Sequence, residues 1–379
     1  MSDLVPFDIQ TEIIKKLPIK SLIRLRSVSK PWKSLIDSPK SIHDNCLRDN
    51  QPHHLLVRYV LRSVVKYVSF LDDDDDSIPQ QKFCPTVPVI LKRLHHASKV
   101  GSSHGIVCFY GFYKDIDYGT DMVVLWNPTI RKSVGIVITK VLHRRIVIGF
   151  GVCPNTSDPK LVKITHNRSF GTETINCVFW EVEVFTLSVG AWRSISIVTP
   201  FKPVELFWSQ VFINGVIYWL GYDRIAVDSA NTHHRIISFD LKSEKFGEVF
   251  LSNSLVSSTG DLSVSKLMDS LVVIESYMKA GEPVCAVWKI NHDVLKSCTK
   301  LYTVKADSAI INLVLEFSKN GELVMEVLDF YGQCFVEIYE PCSGQVKYLE
   351  GFNDKSTSYT VNSYTETLAL LHQSDSIIY

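Results

Sequence analysis

The sequence predicts a small all-α module followed by a large all-β domain, and three observations predict it. Compact helical spacing is confined to residues 4–38. From His53 onward the chain reads as short runs of Val, Ile, Phe, Tyr and Trp between turns, the signature of strands. Those runs recur as one unit with a nearly constant period, and a fixed period decides an architecture.

The helical stretch reads LVPFDIQTEIIKKLPIKSLIRLRSVSKPWKSLIDS. Pro6 suits a first helical turn, where no backbone N–H is needed, and Asp8 and Glu12 sit near that positive end. Ile9, Ile13, Ile14 and Leu17 then repeat at the spacing of one helical face. Pro18 stops this helix, because the residue before a proline is pushed out of the α region. Leu22 and Leu25 mark a second short helix. Ser29 is a good N-cap, Pro31 fits the following turn, and Trp32, Leu35 and Ile36 carry a third helix to about Asp37. Ser41 to Asp49 extends the module, and Asn50-Gln51-Pro52 is its boundary, giving a helical domain over 1–49 and a β domain over 53–379. So few residues cannot bury this many large apolar side chains against one another, so some of that surface should meet a partner. Lys15, Lys16, Lys20, Arg24, Arg26, Lys30 and Lys33 lie between Ile13 and Ile36 with no acid among them. The whole chain nevertheless balances 40 basic against 40 acidic residues, so no general basic field points to nucleic acid. A solvated face or an acidic protein partner fits better.

In the β domain the repeated unit is an aromatic late in a strand, a polar turn, then another strand. Its anchors are Trp126, Phe185, Phe239, Trp288 and Tyr339, separated by 59, 54, 49 and 51 residues. Each is preceded by a further apolar run: HGIVCFYG, KLVKIT, NGVIYWLG, DSLVVIES and NGELVMEVL. About four strands in roughly fifty residues is the kelch-like period of a β-propeller blade. Five blades are visible, and a sixth can be assembled from 55–70 together with 358–371, joining the two ends of the chain so that no sheet edge is left free. The expected fold is therefore an all-α module followed by a six-bladed kelch-like β-propeller, with an open two-sheet sandwich as the competing arrangement.

The N-terminal run resembles an F-box, the motif by which substrate receptors dock onto the Skp-type adaptor of a Skp–cullin–F-box ubiquitin ligase. The resemblance is carried by Val5-Pro6, Ile13-Ile14, Leu17-Pro18-Ile19-Lys20-Ser21-Leu22, Arg24, Arg26, Val28-Ser29-Lys30, Trp32 and Leu35-Ile36-Asp37-Ser38-Pro39. Two positions depart from the family pattern. Val5 stands where Leu is usual, a loss of one methylene worth about 0.8 kcal/mol of burial, and Lys40-Ser41 follows Ser38-Pro39 where an aromatic is usual. The β runs resemble the F-box-associated domain of plant proteins, through Gly105-Ile106-Val107-Cys108, Leu125-Trp126-Asn127-Pro128, Ile148-Gly149-Phe150-Gly151, Trp192-Arg193, Gly215-Val216-Ile217-Tyr218-Trp219-Leu220, Phe239-Asp240-Leu241 and Val287-Trp288. After Gly151, Val152-Cys153-Pro154 and Leu161-Val162-Lys163 only approximate the family wording.

The resemblance implies a non-enzymatic substrate receptor with no cofactor, docked to the Skp-type adaptor through Pro6, Ile14, Leu17, Pro18, Leu22, Val28 and Trp32, and through it to cullin and RING subunits. The β domain would hold a target protein whose identity the sequence does not encode legibly. A stand-alone kelch-like protein- or glycan-binding propeller is the alternative. Met1-Ser2-Asp3-Leu4 is not the start of a secretory signal, and no apolar run approaches the 18 or so residues that span a bilayer, so a cytoplasmic or nuclear protein without membrane contact is expected. Nine cysteines at irregular spacing, none in a C-x-x-C pair, fit reduced thiols rather than disulfides or zinc.

Other patterns carry little chemistry. Gly101-Ser102-Ser103-His104-Gly105 matches a hydrolase nucleophile elbow, which needs a helix after it, yet a strand-like run follows. Gly149-Phe150-Gly151 lacks the third glycine of a dinucleotide site and reads as a bulge or tight turn. The pairs His53-His54, His95-His96 and His233-His234 are adjacent, and neighbours on a strand point to opposite faces, away from a shared metal. Asp72 to Asp76 form a self-repelling loop tip. The periodic tryptophans belong to blade cores; Trp208 lies outside the repeat, as a core residue or a recognition residue on one face.

Overall fold

The computed structural model describes residues 5–46, 48, 51–72, 82–113, 120–139, 144–167, 180–196, 204–223, 233–291, 297–305, 310–329, 331–349 and 356–379. Four short helices, α1 (Phe7–Lys15), α2 (Ile19–Leu25), α3 (Lys30–Ile36) and α4 (Pro39–Cys46), are followed by a six-bladed β-propeller. Pro6 and Pro18 cap α1 and α2 with extended backbone, and the Ser29 hydroxyl accepts the Trp32 N–H at the start of α3. The prolines and serine therefore act where helix physics places them.

Blade 1 combines both ends of the chain. Its inner strand is Ser356–Thr365, paired antiparallel with His53–Leu61, then Val64–Asp72 and the two-residue strand Lys82–Phe83. Blade 2 is Leu94–Ser103, Ile106–Tyr113, Thr120–Asn127 and Lys132–Ile138. Ser376–Ile378 adds a parallel outer strand to blade 2, which the sequence did not suggest. Blade 3 runs Arg144–Val152, Pro159–Asn167, Trp180–Thr186 and Ala191–Ile195. Blade 4 runs Glu205–Ile213, Val216–Asp223, His233–Asp240 and Lys245–Val249. Blade 5 comprises Asp261–Leu267, Ser270–Lys279, Glu282–Ile290 and Cys298–Val304. Blade 6 comprises Ile310–Phe317, Leu323–Leu328, Cys334–Tyr339 and Val346–Tyr348.

The inner strands of successive blades touch all the way round, including blade 6 against blade 1, so the ring is closed. The five aromatic anchors each lie within the last three residues of the third strand of a blade. The expected closing blade is present, but its C-terminal strand stops at Thr365, and residues 366–371 leave the sheet to pack under the helices.

Six hydrophobic clusters hold the ring, each shared by two adjacent blades. Successive strand residues therefore serve different cores: Val107 and Phe109 face blade 1, whereas Ile106 and Cys108 face blade 3. Both faces of a blade are buried, which is why these strands read as continuous apolar runs rather than as alternation. Gly149 and Gly151 are regular strand residues, not a bulge or turn. A Cβ on Gly149 would stand 2.2 Å from the Trp219 ring, and one on Gly151 would stand 2.4 Å from Phe212, so these two rings of blade 4 fit against blade 3 because glycine faces them.

A seventh cluster belongs to the helices. Ile14, Ile19, Leu22 and Ile36 pack with Leu368 and Leu371, and Ile130 from the blade 2 turn joins them. The helical module and the C-terminal segment thus share one core.

Candidate docking surfaces

The helices sit on the propeller face that carries the hairpins between first and second strands. Lys20 on α2 pairs with Glu366 at 3.0 Å, His372 Nε2 contacts the Asp37 carbonyl at 2.8 Å, and His43 on α4 meets the Ser157 hydroxyl in the first hairpin of blade 3. Within the module, Arg26 grips Asp37 through two bonds at 2.5 and 3.0 Å. The Trp32 indole N–H donates to Gln10 at 2.8 Å, tying α3 to α1. Burial pushes the Glu366 carboxyl up, but hydrogen bonds from His54 and Lys20, with the Lys20 charge, outweigh it and hold the group below the ordinary carboxylate range.

The seven sequence-predicted docking residues separate into two sets. Pro6, Pro18 and Val28 are exposed, and Leu17 and Trp32 are half-buried. Ile14 and Leu22, at 4% and 1% exposure, face the chain's own core and are not presented to a partner in this conformation. The helical face expected to hold Ile9, Ile13, Ile14 and Leu17 together is divided: Ile14 and Leu17 turn inward, while Ile9 and Ile13 turn to solvent with Phe7. A 100° step per residue carries Ile13 and Ile14 to different sides, and Ile9 and Ile13 stand one turn apart on the outer side. Phe7, Ile9 and Ile13 were thus missed as surface residues, although the i, i+4 spacing of the two isoleucines held the signal.

On the opposite face, Trp208 is exposed at a register shift in the inner strand of blade 4, its ring centroid 5.2 Å from that of Tyr110. Core placement does not apply to it. Trp126, Trp180 and Trp219 are buried between blades, whereas Trp192 and Trp288 are half-buried with their indole N–H groups bonded to the Val137 carbonyl and Glu275. Polar bridges tie the inner strands together: Lys99 Nζ donates to Glu316 at 2.6 Å and to the Val361 carbonyl at 2.7 Å, and the Gln210 amide accepts from the N–H and donates to the carbonyl of Phe150.

The remaining motifs resolve into structure. Ser103 ends an inner strand and accepts the Val152 N–H at 3.1 Å, and a strand follows the His104-Gly105 turn. Gly105 is required there, with φ +76° and the Thr367 side chain 2.4 Å from any Cβ. His54 is buried, stacked on Tyr364 at 5.0 Å, whereas His95 and His96 are exposed. Among the described residues, no three or more His, Cys, Asp or Glu side chains are grouped to hold a metal ion. Asp72 accepts the Lys319 N–H at 2.7 Å; Asp73 to Asp76 lie outside the described residues, as does Cys177. The other cysteines are free, and burial raises the Cys46 thiol to about 11 and the Cys285 thiol to about 12. Among the described residues no helix is long and apolar enough to cross a membrane.

Comparison with known proteins agrees with this architecture. Residues 3–44 match the F-box domain, and residues 67–329 match the F-box associated beta propeller domain. F-box protein At2g21930 of Arabidopsis thaliana is 26% identical over 243 residues, covering 64% of this chain and 59% of that protein. F-box protein CPR1 of the same plant is 25% identical over 328 residues, covering 81% and 74%. The matched stretch thus spans under two thirds of the length of At2g21930. Among solved structures, TolB from Acinetobacter baumannii aligns with a TM-score of 0.45 at 10% identity, covering 81% of this chain and 66% of that one. With the F-box helices in place and the propeller matched over most of the chain, this protein belongs to the F-box-associated β-propeller family.

Proposed function

We propose that the protein is the substrate-recognition subunit of a Skp–cullin–F-box ubiquitin ligase. The F-box binds the Skp-type adaptor, and through it the cullin and RING subunits, while the propeller holds a target protein. The chain supplies no chemistry of its own. It raises the effective concentration of target lysines near the conjugating enzyme, and other subunits carry out the transfer. The roughly fifty-residue blade supports a kelch-like reading of the propeller, and reduced thiols suit action in the cytoplasm or nucleus.

The observation that carries this reading is the outward apolar set on an otherwise packed module. Phe7, Ile9 and Ile13 on α1 and Val28 in the turn between α2 and α3 are each about half exposed, while Ile14, Ile19, Leu22 and Ile36 are buried. In this reading the exposed Pro6 and Pro18 and the half-buried Leu17 and Trp32 take part in docking, and Ile14 and Leu22 support the module from its core. Full burial of a side chain of this size contributes about 1.5–3 kcal/mol, so a few such contacts suffice for a stable complex.

The test is co-purification of the intact chain with a Skp-type adaptor. Wild type should bind, and Ile13→Asp with Val28→Asp should weaken binding at least tenfold at unchanged melting temperature, since both residues are exposed. Absence of wild-type binding, or variants that bind as wild type does, would sink the ligase reading and leave a stand-alone binding propeller.

A further inference from the structure

The fourth strand of blade 1 is the shortest of the six, shorter even than Val346–Tyr348 of blade 6. This strand, Lys82–Phe83, pairs only with Ser69 and Phe70, whereas the fourth strands of blades 2 to 5 are five to seven residues long. Pro85 and Pro88 explain the early stop, because proline has no N–H to give a ladder. Among the described residues, the outer edge of strand Val64–Asp72 is therefore unpaired over 64–68, about 17 Å of backbone at the usual strand rise.

A groove of about 790 Å3 runs along that edge, between it and the segment leading into blade 2. Its floor and far wall are apolar, with Tyr67, Val87, Leu91 and Leu94. Its charged groups are Arg58, Lys66 and Lys92, with His95 and His96 beside them, and no carboxylate lines it. None of these three cations forms an ion pair among the described residues; the Arg58 guanidinium hydrogen-bonds the Tyr67 hydroxyl, and its Nε is buried without an acceptor. One lysine is enough to discourage edge-to-edge association of strands, which accounts for Lys66. Arg58 and Lys92 go beyond that need and make the groove attractive to carboxylates. Asp72, the one described residue of the chain's acidic run, does not line the groove: it lies at the far end of the strand whose near end, beside the Arg62-Ser63 turn, opens on it.

We propose that this groove binds an acidic, extended segment of the target protein as an added strand of blade 1. Backbone hydrogen bonds to 64–68 would supply the pairing, carboxylates would meet Arg58, Lys66 and Lys92, and an alternate apolar side chain would rest on Leu91 and Leu94. The apolar wall favours a polypeptide over a nucleic acid. The groove opens on the face opposite the helices, so target and adaptor can be held together. The inference rests on the receptor reading for the identity of its ligand as a target, but the groove chemistry is tested without it.

The probe is an array of decapeptides alternating Glu or Asp with Val, Leu or Phe, compared with a matched array carrying Lys in place of the acids and with a single-stranded oligonucleotide. The best acidic peptide is then titrated against the full chain by fluorescence anisotropy. Binding should weaken at least tenfold in Lys66→Glu/Lys92→Glu, two exposed positions whose change should leave the melting temperature unaltered. N-methylation of alternate peptide amides should abolish binding in one register and spare it in the other. Equal binding of the lysine array or the oligonucleotide, no binding by any acidic peptide, indifference to the charge reversal, or indifference to N-methylation in both registers would each overturn the proposal. Adaptor capture is measured in parallel. A wild-type chain that captures the adaptor but binds no acidic peptide speaks against the groove alone, and one that binds the peptide but fails to capture the adaptor speaks against the receptor reading alone.

Discussion

Gly149 shows how much one hydrogen atom can carry. The Trp219 ring, wholly buried, lies where a Cβ would be, and Ile217 stands 3.2 Å from the same point. Gly149→Ala should therefore separate blades 3 and 4 or strain the tryptophan, at a cost of about 1–3 kcal/mol of overpacking. Urea unfolding monitored by tryptophan fluorescence would read this as a lower midpoint; an unchanged midpoint would mean that the ring moves aside freely. Trp208 teaches the reverse lesson at the same scale. Its position outside the repeat was visible in the sequence, but its exposure depends on a register shift between Leu206 and Gln210 that no local pattern announces.

At the scale of elements, the joint between helices and propeller is partly electrostatic. Glu366 sits between Lys20 and the buried His54, and its carboxyl is held below the ordinary range. A carboxyl with a depressed folded pKa contributes stability that is present above its unfolded value, near 4.3, and is lost as pH falls through the folded one. His104, pushed down by burial and by the Lys266 and His43 charges, favours its neutral form and adds a loss that begins as pH falls below about 6.5. The chain should accordingly melt at lower temperature at pH 4 than at pH 7. Glu366→Gln should flatten the part of that dependence below about pH 5, as followed by differential scanning fluorimetry. A Glu366→Gln profile parallel to wild type down to pH 3 would remove Glu366 from the joint. The helices themselves were legible because caps and prolines act locally. Which side of α1 faces inward was not, because that is set by Leu368 and Leu371, more than 350 residues away.

For the whole molecule, closure is the decisive feature. The inner strand of blade 1 comes from the C-terminal end, and the segment after it seats the helices. Removing residues 356–379 should leave five blades and an open edge at His53–Leu61, and should expose Ile14, Ile19, Leu22 and Ile36 together. The truncated chain should elute as aggregate in size-exclusion chromatography and lose a single cooperative melt. A monomeric, cooperatively melting product would show that the ring does not depend on this closure.

What the sequence determined by itself is whatever recurs or acts within a few residues: the helix ends at Pro6, Pro18 and Ser29, the aromatic anchor of five blades, and the roughly fifty-residue period between them. Tertiary structure alone decided the rest. It drew Ile14 and Leu22 from the expected docking set into a shared core and turned Phe7, Ile9 and Ile13 outward. It also brought Arg58, Lys66 and Lys92 together beside the edge that the proline-shortened fourth strand of blade 1 leaves open. The physical reason is common to these cases: a short-range pattern specifies the type of an element, whereas the side it buries depends on surfaces brought to it from distant parts of the chain.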